Sequence, residues 1–288
     1  MKFVTFRGAN APASRAEAGV VADDRVIGLG GAGFGSMLAV LASGPEGRAR
    51  IDKFVYSPPA DAVFLLPSVQ LLAPVPRPPK VICVGLNYRD HAVEARQEIP
   101  KVPTIFSKFS NVVIGPGQAI VLPKNSRKPD YEAEFAFVIG TGGRHIPSYE
   151  WQRHVFGYTA FMDVSARDFQ RATSQWMIGK TFDTFAPMGP WLVSADEIAD
   201  PHALDIRLRI GGETLQHSNT RELIFKIPAL VEFLSSVVTL EPGDVVATGT
   251  PAGVGFARTP PRYLKPGDEV TVSIEGIGDL RNPVVAER

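Results

Sequence analysis

Apolar residues along this chain fall in short runs that turn residues separate, a pattern typical of a protein built mainly from β-strands. The clearest run is 135–139, which is apolar at every position and predicts a strand buried on both faces. Two Pro-Gly-Asp turns, at 242–244 and 266–268, each introduce a further run. The predicted strands are 2–7, 18–22, 25–29, 81–84, 112–122, 133–139, 158–162, 203–210, 213–216, 245–248 and 269–274.

Helical spacing is less frequent than strand-like patterning. Pro228 suits the first turn of a helix, and Leu230, Val231 and Leu234 then follow the 3–4 spacing of an apolar helix face. Shorter helices are predicted at 36–41, 47–55, 87–98 and 149–155. Because helices do not alternate regularly with strands, a doubly wound fold is disfavoured. The expected fold class is α+β and mostly β, a mixed β-roll or sandwich with peripheral helices.

Proline marks a division in the chain. The segment 74–79 contains four prolines, which exclude a helix or a central strand and predict an extended connector. We therefore predict a small N-terminal α+β domain at 1–70, a Pro-rich connector at 71–79 and a larger domain at 80–288.

Composition narrows the classes of function. Thirty basic and thirty acidic residues give a net charge of zero in 288 residues, so neither a nucleic-acid partner nor a membrane partner is expected. The single cysteine, Cys83, leaves no intrachain disulfide and no thiolate metal cluster. The start of the chain predicts a strand and not a signal peptide, and no apolar run reaches membrane-spanning length. A cytoplasmic location is expected.

Two glutamates, Glu132 and Glu134, stand two residues apart where the buried run begins. Residues i and i+2 of a strand point to the same side, so the two carboxylates are predicted to lie side by side. Buried like charges cannot both stay ionised at low cost, and a divalent cation between them removes the conflict. The alternative is a polar strand end on an exposed edge, which the apolar run after the pair disfavours.

A third carboxylate, Asp163, ends the apolar strand 158–162. Three carboxylates without histidine form an all-oxygen ligand set that favours Mg²⁺ or Mn²⁺ and leaves coordination positions for a chelating 2-oxo acid. Ser165 is predicted to cap a helix that starts near residue 166, on which Arg167 and Gln170 share a face suited to a carboxylate or carbonyl. The alternative for this segment is a capped helix with surface polar residues.

Three further segments carry candidate chemistry, although each has an ordinary surface interpretation. His91 and Glu94 share a helical face if 87–98 is a helix, and a carboxylate beside an imidazole raises its basicity. Lys180 follows a glycine and can serve as a cationic anchor or oxyanion partner. The Gly-rich stretch 249–255 allows close approach of backbone to a ligand and offers Thr250 as a donor.

The stretch 28–33 matches the G-x-G-x-x-G pattern of dinucleotide-binding loops. It lacks the second parallel strand that should precede an acidic partner, so dinucleotide binding is disfavoured and a Gly-rich turn is expected.

Together these segments resemble the fumarylacetoacetate hydrolase family. The resemblance covers about 77–288, and the small N-terminal unit resembles the variable leading domain of longer members. It rests on five motifs in the family's order: V-G-x-N-Y-x-x-H-x-x-E at 84–94, D-Y-E-x-E at 130–134, D-x-S-A-R-D-x-Q at 163–170, G-K at 179–180 and G-T-P-x-G-V-G at 249–255.

The resemblance implies a metal-dependent catalytic domain of mixed β-roll type at 80–288, a homodimer, and Mg²⁺ or Mn²⁺ as cofactor. It also implies roles for the residues at the motif positions. The metal ligands would be Glu132, Glu134 and Asp163; the catalytic residues His91, Glu94, Lys180 and Gln170; and the substrate-binding residues Arg167, Thr250 and Gly249.

The function expected from these roles is hydrolysis of a C–C bond in an acylpyruvate-type 2,4-dioxo acid, with release of pyruvate. In this scheme Glu94 orients His91, which takes a proton from water, and the departing carbanion becomes a pyruvate enolate. The same enolate chemistry leaves oxaloacetate decarboxylation and isomerisation of a 2-hydroxymuconate-type dioate as alternatives. A metal-binding scaffold without catalysis is a further alternative, which the His–Glu pair disfavours.

Overall fold

The β-prone runs of the sequence form most of the strands that they predict. A computed structural model describes residues 1–8 and 16–288 of the chain. The strands are β1 Lys2–Gly8, β2 Glu17–Ala22, β3 Arg25–Gly28, β4 Val63–Leu65, β5 Val69–Leu72, β6 Val81–Gly85, β7 Thr104–Lys108, β8 Val113–Ile114, β9 Ile120–Leu122, β10 Pro129–Asp130, β11 Ala133–Ile139, β12 Val155–Met162, β13 Ser165–Ala166, β14 Ala186–Ser194, β15 Asp205–Ile210, β16 Glu213–Asn219, β17 Val245–Ala247, β18 Glu269–Ile274 and β19 Gly278–Ala286. The helices are α1 Met37–Leu41, α2 Gly44–Tyr56, α3 Arg89–Glu94, α4 Trp151–His154, α5 Arg167–Gln170, α6 Met177–Lys180 and α7 Ile227–Val237.

Two large sheets organise the described residues. The larger sheet runs β4-β3-β2-β1-β14-β12-β11-β17-β6-β7, with β5 added on β1 and β8 on β14. The second sheet runs β16-β15-β18-β19-β9. Most neighbours are antiparallel, but β17–β6, β14–β8 and β19–β9 are parallel, so both sheets are mixed. The predicted fold class, α+β and mostly β with mixed sheets, is confirmed.

The central strand β11 is buried on both faces, as its apolar run predicts. Phe135 and Phe137 belong to a core that includes residues of the five-stranded sheet, such as Ile206 and Val270. The alternate residue Ala136 belongs to a second core, shared with the N-terminal segment. The chain is therefore layered, with β11 between two hydrophobic cores, and this burial fixes the register of the strand that carries the acidic pair.

The N-terminal segment extends the large sheet. Lys2 pairs with Val193 and Phe3 with Leu192, so β1 lies directly beside β14. The Pro-rich stretch at 71–79 therefore separates two parts of the chain that share one sheet, and the division into 1–70 and 80–288 stays a prediction. None of the helices in the described ranges has the length and apolarity needed to span a membrane.

Three sequence predictions need correction in this part of the chain. The expected single strand at 112–122 is two short strands, β8 and β9, because a turn with Gly117 at φ 74° interrupts it. The helix expected at 87–98 spans only α3. Ser165 does not cap α5, because its hydroxyl donates to the carbonyl of Asp163 at 3.0 Å and Ala166 is the N-cap residue.

Among the described residues, seven strands were missed: β4, β5, β7, β10, β13, β14 and β19. Some of them have sequences that contradict strand patterning. β14 contains Pro187, Gly189 and Pro190, residues that usually end a strand. Its register with β12 shifts at this point, which accommodates the prolines. β19 also contains a proline, Pro283, and β7 is only five residues long.

Candidate active site

The three predicted metal ligands converge at one end of the β11–β12 pair. Glu134 lies in β11 opposite Phe161, and Glu132 directly precedes this strand. Asp163 follows the last residue of β12, and its N–H donates to the carbonyl of Glu132 at 2.9 Å. Oxygens of the three buried carboxylates lie within 4.8 Å of one another. The strands thus hold three acids together at their common end, as the sequence predicts.

Three buried cations surround these acids. Lys180 lies between Glu132 and Asp163, with its Nζ 2.6 Å from an oxygen of each. Lys108 donates to the other carboxylate oxygen of Asp163 and, at 3.0 Å, to the carbonyl of Val164. Lys108 was missed, because it belongs to the short strand β7 and follows only a three-residue β-prone run.

Arg167 connects the triad to a fourth buried acid, Asp130. Its Nε lies 2.8 Å from Asp130, its Nη2 lies 2.6 Å from Glu132, and its Nη1 donates to Gln170 at 2.9 Å. Asp130 also accepts the N–H groups of residues 255 and 256, so it ties Arg167 to the Gly-rich loop. Asp130 is the first residue of the D-Y-E-x-E motif, and its role was not predicted from the sequence.

The electrostatics favour an additional cation at this place. Burial and the neighbouring Asp163 and Glu132 raise the pKa of Glu134 well above its usual value. Burial also disfavours the charge on Glu132, but Arg167 and Lys180 outweigh it and hold the pKa of Glu132 below its ordinary value. Among the described residues Glu134 forms no ion pair and accepts only the N–H of Gly249, at 2.9 Å. The acids outnumber the bases in this cluster: Asp130, Glu132, Glu134 and Asp163 face Lys108, Arg167 and Lys180.

This arrangement fits a divalent metal ion. All three candidate ligands are hard carboxylate oxygens, the set that Mg²⁺ and Mn²⁺ prefer. Each carboxylate also has lone pairs that the lysines leave free. The triad could therefore hold a divalent ion.

Binding of Mg²⁺ or Mn²⁺ should release protons and tighten as the pH rises above the ordinary range of carboxyl groups. The reason is that Glu134, whose pKa is raised in the folded protein, must lose its proton to become a ligand. Titration calorimetry in two buffers with different ionisation enthalpies measures the release. Identical binding heats in the two buffers would contradict this expectation.

The predicted histidine–glutamate pair forms on α3. Nδ1 of His91 lies 3.1 Å from Glu94, and the other carboxylate oxygen of Glu94 accepts the N–H of Gly253 at 2.9 Å. An ionised carboxylate can only accept, so Nδ1 carries the hydrogen, and in the neutral imidazole Nε2 is then the nitrogen with the lone pair. The side chain of Asn87, which bonds the main chain of Thr248 and Phe225, anchors the start of this segment. His91 is thus oriented to accept a proton at Nε2.

Two acids of the triad, Glu132 and Glu134, line one cavity of about 320 Å³ together with His91. Most of the predicted site residues line it: His91, Glu132, Glu134, Arg167, Gln170, Lys180 and Thr250. Asp163 lies beneath the lining, while Glu94 and Gly249 act from behind it through the hydrogen bonds described above. The structure therefore brings all ten predicted residues together. Additional lining residues that sequence analysis did not identify include Phe106, Arg171, Trp176 and Phe256.

The sequence of this chain is similar to that of known proteins. Residues 80–285 match the family model described as fumarylacetoacetate (FAA) hydrolase C-terminal. A relative named oxaloacetate tautomerase Fahd2a, mitochondrial, from Rattus norvegicus, is 53% identical over 218 residues, which are 75% of this chain and 70% of that protein. Since the name of this relative includes a mitochondrial location, the cytoplasmic location expected here stays a prediction.

Two solved structures have a similar fold over the whole length of this chain. Maleylpyruvate hydrolase from Sphingobium sp. SYK-6, in complex with manganese(II) and pyruvate, has a TM-score of 0.84 and 30% identity, with 100% of both chains covered. Fumarylacetoacetate hydrolase from the psychrophile Exiguobacterium antarcticum has a TM-score of 0.85 and 36% identity, again over 100% of both chains. By its sequence and its fold, the chain belongs to the fumarylacetoacetate hydrolase family.

Proposed function

We propose that this protein is a metal-dependent enzyme that interconverts the keto and enol forms of oxaloacetate or a closely similar 2-oxo dicarboxylic acid. The observation that carries the proposal is a buried carboxylate triad, two of whose acids line the same cavity as a histidine held by a carboxylate. The 53% identity to a protein named oxaloacetate tautomerase supports the choice of reaction.

Glu132, Glu134 and Asp163 would hold the ion. A divalent ion held there would supply a Lewis acid that withdraws electron density from the 2-oxo group and acidifies the hydrogens on the neighbouring carbon. Lys180 and Arg167 stand beside Glu132, and a divalent ion held with them would give this cluster of four acids and three bases a net positive charge. These charges favour a substrate that arrives as an anion.

His91 is the proposed proton carrier. Its Nε2 takes a proton from C3 of the keto form and delivers it to the C2 oxygen, so that one C–H bond breaks and one O–H bond forms. Glu94 keeps the imidazole in the tautomer with a free Nε2 and stabilises it while it carries the proton.

Gln170 is placed to bind an oxygen of the substrate. Its Oε1 accepts from Nη1 of Arg167 at 2.9 Å, so its amide NH₂ is the part that remains for the cavity it lines. A donor in this position stabilises negative charge on the 2-oxo oxygen during proton transfer.

Arg171 supports a dicarboxylic acid as substrate. Its guanidinium carbon lies 4.3 Å from the centre of the Phe256 ring, and Arg167 contacts the same ring at 4.6 Å. Arg167 is ion-paired, whereas Arg171 pairs with no carboxylate in the part of the chain that the structure describes. An unneutralised guanidinium on the cavity lining suits a second carboxylate of the ligand.

Replacing Arg171 with alanine should raise the KM for oxaloacetate about three- to tenfold, the effect of one partly exposed charged hydrogen bond. The KM for a 2-oxo acid with one carboxylate, such as 2-oxobutyrate, should stay nearly unchanged. Arg77→Ala, which removes an exposed arginine outside the cavity lining, is the matched control. Equal effects of Arg171→Ala on both substrates would argue against the second carboxylate site.

Hydrolysis of an acylpyruvate is the second candidate function. The neighbour that contains pyruvate and manganese(II) favours it, and His91 would then take a proton from water instead of from carbon. Oxaloacetate decarboxylation would need no proton transfer from water and remains an alternative on the same site.

The test compares these reactions in one set of assays with Mg²⁺ or Mn²⁺. We expect the ultraviolet absorbance of enol oxaloacetate to decay faster with the protein than with the metal alone, without matching release of pyruvate. Pyruvate release from oxaloacetate would indicate a decarboxylase. Loss of acetylpyruvate or fumarylpyruvate absorbance without any effect on enol oxaloacetate would replace the proposal with the hydrolase.

We also propose that the protein acts as a homodimer, with a small 2-oxo acid as substrate and neither nucleic acid nor membrane as partner. The family resemblance and the balanced charge support this. Light scattering at assay concentration measures the mass, and a monomer would contradict the proposal.

A further inference from the structure

One buried glutamine connects two parts of the candidate active site. Gln216 lies on β16 and is 1% exposed. Its Oε1 accepts the N–H of Ala133, the residue between Glu132 and Glu134, at 2.9 Å. Its Nε2 donates to the carbonyl of Pro251 at 2.8 Å and lies 2.9 Å from the hydroxyl oxygen of Thr250. The side-chain amide of Gln216 therefore joins β11, which begins between the two glutamates, to the Gly-rich loop.

The orientation of this amide follows from its main-chain partners. The N–H of Ala133 can only donate, so the atom that faces it must be the amide oxygen. The carbonyl of Pro251 can only accept, so the atom that faces it must be the amide nitrogen. In a flipped side chain, the NH₂ group would face the N–H of Ala133 and the amide oxygen would face the carbonyl of Pro251, so that donor would meet donor and acceptor would meet acceptor. The NH₂ group of Gln216 consequently faces Thr250.

This orientation determines what the hydroxyl of Thr250 can do. The oxygen of Thr250 must accept a hydrogen from Gln216, because the amide nitrogen has no lone pair to offer. In the described part of the chain, the hydrogen of the Thr250 hydroxyl has no acceptor, and Thr250 lines the cavity. The hydroxyl is therefore prepared to donate to an oxygen atom of whatever occupies the cavity.

We propose that Gln216 is a positioning residue that makes Thr250 a hydrogen-bond donor to a carboxylate oxygen of the bound 2-oxo acid. The proposal deepens the proposed function and rests on it, since it concerns the same ligand. Because Gln216 also holds Ala133, it fixes this donor relative to the two glutamates on either side of Ala133.

The experiment measures binding, so it does not depend on which reaction the enzyme catalyses. Oxalate, a planar dicarboxylate that chelates divalent ions, is titrated into the Mn²⁺-loaded protein by calorimetry. Gln216→Glu keeps the size of the side chain and the acceptor for Ala133, but it loses the hydrogen bond to the carbonyl of Pro251, and its second oxygen accepts the hydroxyl hydrogen of Thr250 and withdraws it from the cavity. We expect oxalate affinity to fall about tenfold, the effect of losing one hydrogen bond to a charged group.

Two further substitutions separate positioning from simple support of the fold. Thr250→Val, which removes the hydroxyl at nearly constant shape, should also lower oxalate affinity about tenfold, whereas Thr250→Ser should stay within about threefold. In the Thr250→Val background, Gln216→Glu should have little additional effect on affinity, because the hydroxyl it acts through is gone. Gln152→Glu, the same change at an exposed position outside this cavity, controls for added charge.

The outcomes distinguish the two levels of the proposal. If the unaltered Mn²⁺-loaded protein binds neither oxalate nor pyruvate, the proposed function is wrong. If it binds oxalate but the losses from Gln216→Glu and Thr250→Val simply add, Gln216 supports the structure without orienting Thr250. If Gln216→Glu does not fold, unchanged affinity in Thr250→Val alone overturns the inference.

Discussion

Replacing Asp163 with asparagine should abolish binding of the divalent ion, lower turnover by about 10³-fold or more, and destabilise the protein. The carboxylate of Asp163 contacts two buried ammonium groups, Lys108 on one oxygen and Lys180 on the other. Asparagine would leave these two positive charges without their main partner. Removing one partner from a buried ion pair costs about 3–5 kcal/mol of unfolding free energy.

Replacing Glu134 with glutamine should also abolish metal binding. Unlike Asp163→Asn, it should not lower the stability of the metal-free protein. Glu134 has no cationic partner among the described residues, and burial with two neighbouring carboxylates raises its pKa. A carboxyl group whose pKa is higher in the folded than in the unfolded state lowers the free energy of unfolding as the pH rises above its unfolded-state pKa, which is about 4.3 for glutamate. Glutamine still accepts the N–H of Gly249, so the variant should equal or exceed the parent in stability at neutral pH.

The two variants are compared by chemical denaturation after removal of metal, at pH 5 and pH 7.5, with Asp200→Asn as an exposed control. The stability advantage of Glu134→Gln should be larger at the higher pH. If both variants lose stability to the same degree, the two acids have equivalent surroundings and the charge distribution described here is wrong. Full turnover in either variant would contradict the metal assignment.

Replacing His91 with glutamine should lower kcat by about 10²–10⁴-fold while metal affinity stays close to that of the parent protein. The expected effect is large because Nε2 of His91 carries the proton in the proposed reaction. His91 contacts none of the three metal ligands through the hydrogen bonds of the structure, so the ion should remain. Exchange of the C3 hydrogens of oxaloacetate with deuterated water, followed by NMR, measures the proton transfer directly.

The matched control is His217→Gln, which changes an exposed histidine on β16 near Asp205. Glu94→Gln should give a smaller loss than His91→Gln, because the imidazole remains but its tautomer is no longer fixed. Normal exchange in His91→Gln would remove His91 from the reaction. If oxaloacetate loses CO₂ at an undiminished rate in this variant, decarboxylation proceeds without the histidine.

Much of the site could be predicted from the sequence because its residues occur in local patterns. Glu132 and Glu134 flank Ala133, the first residue of a buried strand, and the two-residue period of extended chain places both on one side. His91 and Glu94 lie one helical turn apart, so their contact needs only α3 to form. Residues of this kind are determined by the period of one element, which a sequence displays directly.

The residues that were missed act through contacts distant in sequence. Lys108 reaches Asp163 across 55 positions, and Gln216 reaches Ala133 across 83. Neither residue differs in local pattern from an ordinary polar residue on a strand. Strand β14 was missed for a related reason, since its register with β12 shifts around Pro190. Contacts between distant parts of the chain determine these residues and this strand, and local sequence propensity does not reveal such contacts.

The Gly-rich loop has a consequence for how this kind of active site can change. The N–H of Gly249 holds Glu134, and the N–H of Gly253, four residues later, holds Glu94. Main-chain atoms of one short loop thus set the spacing between a candidate metal ligand, Glu134, and the partner of the imidazole, Glu94. Side chains elsewhere on the cavity wall, such as Arg171, can then be exchanged without altering this spacing. Substitutions in the cavity lining would change which substrate binds. The distance between the candidate metal ligands and His91, over which the proton moves, would stay the same.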